Sequence, residues 1–134
     1  MKKGYHGAIE DLTLANDSFR QVLYSGEHSQ LVLMSLLPNE EIGMEVHEDN
    51  DQFFRFEEGT GTVMIDGTEY QVKDGDAIIV PSGAQHNVIN TSDSGPLKMY
   101  TIYSPAHHKD GTVHATKADA LADEAEHYEG PTEA

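Results

Sequence analysis

The stretch GDAIIVPSGAQHNVIN, residues 75–90, decides the fold of this 134-residue chain because it describes two strands joined by a rigid turn. Pro81 has a fixed φ that suits the second position of a turn, and Gly83 can adopt the positive φ that a tight reversal needs. The apolar run 77–80 therefore reverses sharply, and His86 lies early in the next strand. A histidine in an apolar strand is either a core residue bonded to backbone or a metal ligand, and this stretch alone leaves both interpretations open.

Similar short strands precede and follow this stretch. The Asp66-Gly67 pair is a two-residue hairpin signal, since both residues can adopt positive φ. Short apolar runs between closely spaced turns are typical of a β-sandwich or barrel. The pattern predicts an all-β fold with strands at residues 19–24, 30–37, 43–47, 51–57, 62–65, 69–72, 77–80, 86–91 and 97–103.

The two ends of the chain depart from this pattern. The N-terminal residues contain turn formers and scattered apolar positions, and we expect a loose arm with at most one short strand. Residues 116–128 are rich in alanine, with Thr116 as a possible N-cap and Gly130-Pro131 beyond, which predicts a short C-terminal α-helix. The prediction is a single domain 1–134, made of an N-terminal arm 1–18, a barrel core 19–104, and a C-terminal loop and helix 105–134.

The composition limits the classes of function. There are no cysteines, so a metal ion must be held by histidine, carboxylate or amide side chains. The formal net charge of −16 argues against nucleic-acid and anionic-membrane partners, since both need clustered Lys and Arg. The N-terminal residues MKKGYHGAIEDL lack the apolar core of a signal peptide, and no apolar run approaches membrane-spanning length. We therefore expect a cytoplasmic protein.

A second group of polar side chains lies upstream, in PNEEIGMEVHEDNDQFFRFEEGTG, residues 38–61. Because side chains alternate along a strand, Glu45 and His47 project from one face. That face is either a solvent-exposed surface or part of a site. Gln52 opens the next strand on the same face as Phe54, so we expect its amide to point into an apolar interior, where it needs a partner.

The two segments together resemble the two motifs of the cupin superfamily, small antiparallel barrels that usually hold one divalent metal ion. The second motif, G(X)5PxG(X)2H(X)3N, is matched in full by Gly75, Pro81, Gly83, His86 and Asn90. The first motif, G(X)5HxH(X)3–4E(X)6G, is matched in spacing but altered in its letters. The resemblance covers residues 30–104 and implies a double-stranded β-helix, the jelly-roll barrel of a small single-domain cupin.

The altered first motif changes the ligand set that the resemblance implies. Counting back from Gly59 places Gln52 at the family's glutamate, His47 at the second histidine, Glu45 at the first, and Asn39 at the opening glycine. The usual set of three histidines and one carboxylate therefore becomes Glu45, His47, Gln52 and His86. It still contains one carboxylate, so its charge at a divalent metal is unchanged, which favours retained binding.

A rival register is open in the same segment. It takes His47 and Asp49 as the paired ligands and then requires a carboxylate at residues 53–54, where two phenylalanines stand. We prefer the register with Glu45. Its two oxygen donors and two imidazoles suit one Mn²⁺, Fe²⁺, Ni²⁺ or Zn²⁺ ion, and the harder ligand mix favours Mn²⁺ or Fe²⁺.

Other side chains are placed by the same alternation. The interior residues expected to line a substrate pocket are Phe54, Phe56, Met99, Thr101 and Tyr103. Three histidines, His107, His108 and His114, follow the last strand at spacings that match no strand or helix face, and we expect solvated loop histidines or a lid.

The resemblance indicates a fold but no single reaction, since cupins include dioxygenases, isomerases, lyases, decarboxylases, binding modules and storage proteins. We expect a metal-dependent enzyme, a dioxygenase or lyase, that binds a polar small molecule through two oxygens. The alternatives are a non-catalytic module for a small ligand such as a sugar, and a sugar-phosphate isomerase. The isomerase is disfavoured because Arg55, the one basic residue near the motif positions, is expected to point outward.

The exterior of the barrel is expected to carry an apolar surface. The segment LVLMSLL, residues 31–37, is apolar at nearly every position, so its outer face should meet a helix, an arm or a second subunit. Met44, Val46 and Phe53 extend this surface, and isolated barrels seldom expose such a patch. We therefore expect a homodimer.

Overall fold

The structure, a computed structural model, describes residues 1–133 and contains two antiparallel sheets that enclose one core. Its strands are Arg20–Ser25 (β1), Gln30–Leu36 (β2), Glu45–Val46 (β3), Asp51–Glu58 (β4), Thr60–Ile65 (β5), Thr68–Lys73 (β6), Ala77–Val80 (β7), Gln85–Asn90 (β8), Leu97–Ser104 (β9) and Val113–His114 (β10). Its helices are Ile9–Ala15 (α1) and Lys117–Ala122 (α2). The strand orders are β10-β1-β2-β9-β4-β7 in the larger sheet and β3-β8-β5-β6 in the smaller one. The all-β fold, a double-stranded β-helix with a short C-terminal helix, is confirmed; the predicted domain end at Ala134 lies outside the described residues.

The core lies between the two sheets. Alternate residues of each strand face inward, as the period of a β-strand requires. The inward residues that are at most 1% exposed include Val32, Met34, Leu36, Phe54, Phe56, Val63, Val88, Leu97 and Met99. Each such side chain contributes about 1.5–3 kcal/mol to folding, so the barrel is held mainly by its apolar interior.

Every strand that the sequence predicts is present, with ends within two residues of those expected. The turn between β4 and β5 depends on Gly59, whose φ is +96° and at which a Cβ would lie 2.3 Å from the Pro96 carbonyl oxygen. Strand β10 was not predicted. It pairs only through Val113 and His114 with β1 at the edge of the larger sheet, which is too short a segment for a period-two pattern to show.

The predicted loose arm is wrong for residues 9–15, which form α1. This helix has no side-chain N-cap, so the usual sequence signal is missing, and it lies against β2, β4 and β9. Thr13 is fully buried, and Lys98 Nζ donates to the Leu14 carbonyl at 2.7 Å and to Asp17 at 3.0 Å. Leu33 on the outer face of β2 is 2% exposed, and α1 lies against this strand, so the apolar outer face is at least partly covered by the chain's own helix.

The C-terminal helix is shorter than predicted, and the segment that follows it returns to the barrel. Thr116 caps α2 in a capping box with Asp119, but the helix ends at Ala122 and not at residue 128 as predicted. It ends where His114 Nε2 lies 3.0 Å from an oxygen of Asp123. Tyr128 N then donates to the His107 carbonyl. Within residues 1–133, no helix is long and apolar enough to cross a membrane.

Candidate metal centre

Three predicted ligands meet at one end of the barrel. Glu45 on β3 is the cross-strand partner of His86 on β8, and His47 follows two residues after Glu45 on the same face. One possible ligand atom from each of the three side chains lies within 4.8 Å of the other two. The backbone N–H of Gly83, at φ +85°, donates to the His47 carbonyl at 2.9 Å. The Pro-x-Gly turn thus holds the other motif in place as well as its own histidine.

His86 has a free lone pair in a buried position. Its side chain is 3% exposed, and Nδ1–H donates to the Ala84 carbonyl at 3.1 Å. Since a carbonyl only accepts, the proton is on Nδ1 and the lone pair is on Nε2. This Nε2 atom is buried and has no hydrogen-bond partner among residues 1–133. Leaving a buried acceptor unpaired costs about 1–3 kcal/mol, so the atom is built for a ligand that the chain does not itself supply.

Gln52 also has a buried acceptor atom without a hydrogen-bond partner among the described residues, in this case an amide oxygen. It is 2% exposed, its Nε2 donates to Thr101 Oγ1 at 3.0 Å, and its Oε1 is buried without a partner in the described chain. Gln52 is the cross-strand partner of Tyr103, whose ring lies 5.7 Å from the His47 ring between centroids. Gln52 and His47 therefore both neighbour Tyr103, on the side of the barrel where Glu45, His47 and His86 meet.

Glu45 is ionised at neutral pH. Burial raises the pKa of this carboxyl, but the hydrogen bond with His47 and the charge of Arg20 outweigh burial and lower the pKa below its ordinary value. Glu45 Oε2 lies 3.1 Å from His47 Nε2. Metal binding would replace this hydrogen bond, because both atoms need their lone pairs for the ion. The donor set, one carboxylate, one amide oxygen and two imidazoles without a thiolate, fits a divalent ion such as Mn²⁺ or Fe²⁺.

The histidines of the C-terminal loop are packed, so the expectation of solvated loop histidines is wrong. The His107 ring lies 4.4 Å from the His47 ring and 5.3 Å from the Tyr103 ring, between centroids. His108 is 7% exposed and lies 2.6 Å from Glu126 through Nδ1 and 3.2 Å from the Tyr103 hydroxyl through Nε2. Burial and neighbouring histidines lower the pKa of His107 to about 4, and burial lowers the pKa of His108. Burial raises the pKa of Tyr103.

Gln30 holds this loop in place by hydrogen bonds to the backbone of His107 and His108. It is 1% exposed at the start of β2, and its Oε1 accepts from the backbone N–H groups of His107 at 3.1 Å and His108 at 2.9 Å. Its Nε2 donates to the His108 carbonyl and to Ser25 Oγ, both at 2.7 Å. A glutamine at the head of an apolar strand was the available sequence signal, since such an amide must find partners.

Arg20 is a basic residue that the sequence interpretation missed. It lies on the inward face of β1, across from Met34 and His114, and is 8% exposed. Its charge helps to lower the pKa of Glu45, so the expectation that Arg55 is the one basic residue near the site is wrong. The signal was its alternation with Val22 along β1, which places both side chains inside.

The residues of the predicted pocket all face inward and are at most 2% exposed. Thr101 and Tyr103 border the candidate metal centre through their contacts with Gln52 and His47. Phe54, Phe56 and Met99 lie deeper, where the two phenylalanine rings stack 6.2 Å apart. Two cavities, of about 240 and 210 Å³, open elsewhere on the barrel and are lined by none of these residues. The substrate pocket stays a prediction.

Comparison with known proteins finds a matching family model and several similar proteins. Residues 32–103 match the family model described as "Cupin domain". The uncharacterized protein YrkC of Bacillus subtilis is 49% identical over an alignment of 122 residues, which covers 87% of this chain and 65% of that protein. The uncharacterized protein L612 of Acanthamoeba polyphaga mimivirus is 43% identical over 78% of this chain and 68% of its own length. The crystal structure of BH2720 from Bacillus halodurans superposes with a TM-score of 0.87 at 44% identity, covering 90% of this chain and 95% of that one.

Proposed function

Since the chain belongs to the cupin family, we propose that it is a metal-dependent enzyme whose divalent ion is held by Glu45, His47, Gln52 and His86. The observation that carries this proposal is the pair of buried acceptor atoms without partners, His86 Nε2 and Gln52 Oε1. Mn²⁺ or Fe²⁺ is the preferred ion, and Ni²⁺ or Zn²⁺ fits the same donors. When bound, such an ion supplies Lewis-acid chemistry at oxygens of a substrate.

Two unpaired acceptors in one interior favour a cation over the other occupants of a barrel. An apolar ligand would leave both lone pairs unsatisfied, at about 1–3 kcal/mol each. An ordered water can donate to both, but it does not account for the carboxylate and the second imidazole that lie within 4.8 Å of His86. A divalent ion satisfies all of these groups together. The clustering of these donor atoms beside two unpaired buried acceptors therefore supports a metal ion.

A hydrogen-bonded series of three side chains, Glu126, His108 and Tyr103, favours an enzyme over a binding module. The Glu126 carboxylate accepts from His108 Nδ1, which leaves His108 Nε2 to accept from the Tyr103 hydroxyl. The hydroxyl oxygen keeps lone pairs that can orient a substrate beside the ligand His47. Such a fixed carboxylate–imidazole–phenol series is typical of sites that hold or move a proton. Dioxygenase or lyase chemistry on a polar small molecule is the proposed reaction class.

Metal analysis of the purified protein tests the centre. We expect about one Mn or Fe ion per chain, and a loss of affinity of about tenfold or more in His86→Gln and in Gln52→Ala. The matched control is His28→Gln, because the side chain of His28 is 94% exposed in the turn between β1 and β2. A native protein without stoichiometric metal, or a His86 variant that retains it, contradicts the site.

Turnover is tested separately with the metal-loaded protein. Oxygen consumption and ultraviolet absorbance are followed over a panel of catechols, diketones and keto acids with Fe²⁺ and with Mn²⁺. We expect turnover of at least one class. Ligand-induced stabilisation without turnover for any metal would favour the non-catalytic module. The cytoplasmic location and the homodimer remain part of this proposal.

A further inference from the structure

The segment after α2, residues 123–133, carries a buried carboxylate, and we call this segment the C-terminal strap. The side chain of Glu126 is 5% exposed, although the strap itself contains no helix or strand. Its Oε1 atom lies 2.6 Å from His108 Nδ1, and its Oε2 atom accepts from the backbone N–H of Lys109 at 2.7 Å. A buried carboxylate is costly unless it is hydrogen-bonded. Glu126 meets this condition through the two consecutive residues 108 and 109, which fixes its place against the loop.

The rest of the strap is attached to the barrel by other bonds. Tyr128 N donates to the His107 carbonyl at 3.0 Å, and Thr132 N donates to the Ser25 carbonyl at 2.8 Å. Thr132 Oγ1 also accepts from the backbone N–H of Ser25 at 2.9 Å. Because these bonds lie on the C-terminal side of Glu126, a change at residue 126 alone should leave the strap in place.

The carboxylate of Glu126 fixes His108 in one tautomer. Burial lowers the pKa of His108, so its imidazole is neutral at neutral pH and carries one proton. A carboxylate only accepts, which places that proton on Nδ1 and the lone pair on Nε2. This Nε2 atom lies 3.2 Å from the Tyr103 hydroxyl, which therefore donates its hydrogen to His108. The direction of the hydrogen bond made by Tyr103 is thus set by Glu126.

The other tautomer of His108 would reverse the role of Tyr103. With the proton on Nε2, the imidazole would donate to the phenol oxygen, and the hydroxyl hydrogen would be free to point elsewhere. Tyr103 would then change from a hydrogen-bond acceptor to a donor for any group bound beside it. The two states differ in the position of one proton and need no movement of the backbone, so the carboxylate decides between them.

Tyr103 lies close to the candidate metal centre, where the direction of its hydroxyl matters. It is the cross-strand partner of Gln52, and its ring lies edge-on to the His47 ring with 5.7 Å between centroids. The residue is 2% exposed. Because bulk water does not reach a hydroxyl buried in this way, it cannot compensate for one that points in the wrong direction.

We propose that Glu126 is a positioning residue that acts through His108 and keeps the Tyr103 oxygen as a hydrogen-bond acceptor at the candidate metal centre. The C-terminal strap is therefore part of the active site. This inference rests on the proposed function, because it specifies how the same site is organised. Tyr103 is the residue placed to contact a substrate, and Glu126 sets the direction in which its hydroxyl points.

Nitrogen NMR of the full chain tests the role of Glu126. Two-bond ¹⁵N–¹H correlations of labelled histidine distinguish the two tautomers, both in the metal-free protein and with diamagnetic Zn²⁺. The signals of His108 are those that disappear in His108→Gln. We expect the Nδ1–H tautomer in the wild type. In Glu126→Gln the amide oxygen can still accept from Lys109 while the amide nitrogen donates to Nδ1, so we expect the Nε2–H tautomer.

The matched control is Glu129→Gln on the same strap. The side chain of Glu129 is 55% exposed and lies 3.7 Å from Lys109 Nζ, so the tautomer of His108 should stay as in the wild type. Glu126→Asp keeps a carboxylate and should retain Nδ1–H. Should Glu126→Gln fail to fold, the Asp variant and the wild type still decide. An Nε2–H tautomer in the wild type, or an unchanged tautomer in Glu126→Gln, overturns the inference.

Kinetics of a double variant separate positioning from stability. With a substrate class that the turnover panel identifies, Tyr103→Phe and Glu126→Gln should each lower kcat at least about tenfold. The double variant should be no slower than Tyr103→Phe, because both changes remove the same interaction. Losses that add in the double variant would mean that Glu126 acts through the fold alone, and they contradict the proposal.

These outcomes are distinct from those that test the metal centre. A protein without metal and without turnover rejects the proposed function, whereas a His108 tautomer that follows residue 126 in the same sample supports the role of Glu126. Stoichiometric metal together with a tautomer that ignores residue 126 leaves the proposed function standing and rejects this inference.

Discussion

Replacement of Gln30 by methionine should loosen the loop that packs against the candidate metal centre through His107. Methionine matches the length of glutamine but can neither accept from the N–H groups of His107 and His108 nor donate to the His108 carbonyl. Burial of the position is nearly complete, at 1% exposed, so water cannot replace these bonds without entering the barrel. The variant therefore keeps the volume of the side chain and removes only its hydrogen bonds.

The expected loss of stability follows from the number of bonds. Gln30 makes four hydrogen bonds, counting the one to Ser25. At about 1 kcal/mol net for each, and more where a buried backbone group loses its partner, the free energy of unfolding should fall by about 3–5 kcal/mol. Against a total of about 5–15 kcal/mol for a typical domain, the variant should fold but be clearly weakened.

Urea unfolding at neutral pH measures this difference. The matched control is Gln71→Met on β6, where the side chain is exposed and accepts one bond from Thr62, and its effect should stay within about 0.5 kcal/mol. A loss below about 1 kcal/mol for Gln30→Met would refute the reasoning. It would mean that the loop carrying His107 and His108 is held by something other than Gln30.

Three further predictions follow from separate parts of the barrel. The pKa of His107 is 6.5 in the unfolded chain and about 4 in the folded one, so the unfolded chain binds more protons and wild-type stability should fall as the pH is lowered from 6.5 to 4. In urea titrations at several pH values, His107→Asn should show a smaller dependence of stability on pH. An unchanged dependence would contradict the packed position of His107. Light scattering at micromolar concentration should give twice the chain mass of 14.7 kDa. Ile79 is 67% exposed and is the cross-strand partner of Phe53 on the outer face of the larger sheet, so Ile79→Asp should give monomer, whereas a monomeric wild type rejects the dimer. Gly59→Ala should lower the free energy of unfolding by more than about 2 kcal/mol, because the added methyl group clashes with the Pro96 carbonyl at a position of positive φ. Gly95→Ala is the control and should be nearly neutral, because nothing in the described part of the chain lies within 4 Å of the added methyl group. Equal melting temperatures of the two variants by calorimetry would count against the close contact at Gly59.

The strands and the clustering of Glu45, His47 and His86 were predictable because their signals are local. Alternation places Glu45 and His47 on one face whatever the rest of the chain does, and a Pro-x-Gly turn sets His86 at a fixed offset from the strand before it. The barrel then brings these residues together, as the spacing of the two motifs implies. The interior position of Gln52 was also predictable, because its side chain alternates along the strand with those of two inward phenylalanines.

The surroundings of the site were not predictable because they depend on contacts between distant segments. His108 is buried through Gln30 and Glu126, which lie 78 and 18 residues away in the chain. Helix α1 has no capping signal and forms through contacts with the sheet, which local propensity does not contain. Arg20 was visible as an inward position, but its nearness to Glu45 follows only from the closure of the barrel.

In the proposed metal centre, the exchange of carboxylate and amide between the two strands also changes how metal binding responds to dissolved salt. Glu45, on the edge strand β3, has a side chain that is 34% exposed, whereas Gln52 on β4 is 2% exposed. Mobile ions screen a charge that water reaches and have little effect on a buried one. A glutamate at the position of Gln52 would attract a metal ion almost independently of ionic strength. With the carboxylate at Glu45, part of that attraction weakens as ionic strength rises, so metal occupancy in this protein should vary with the salt concentration around it.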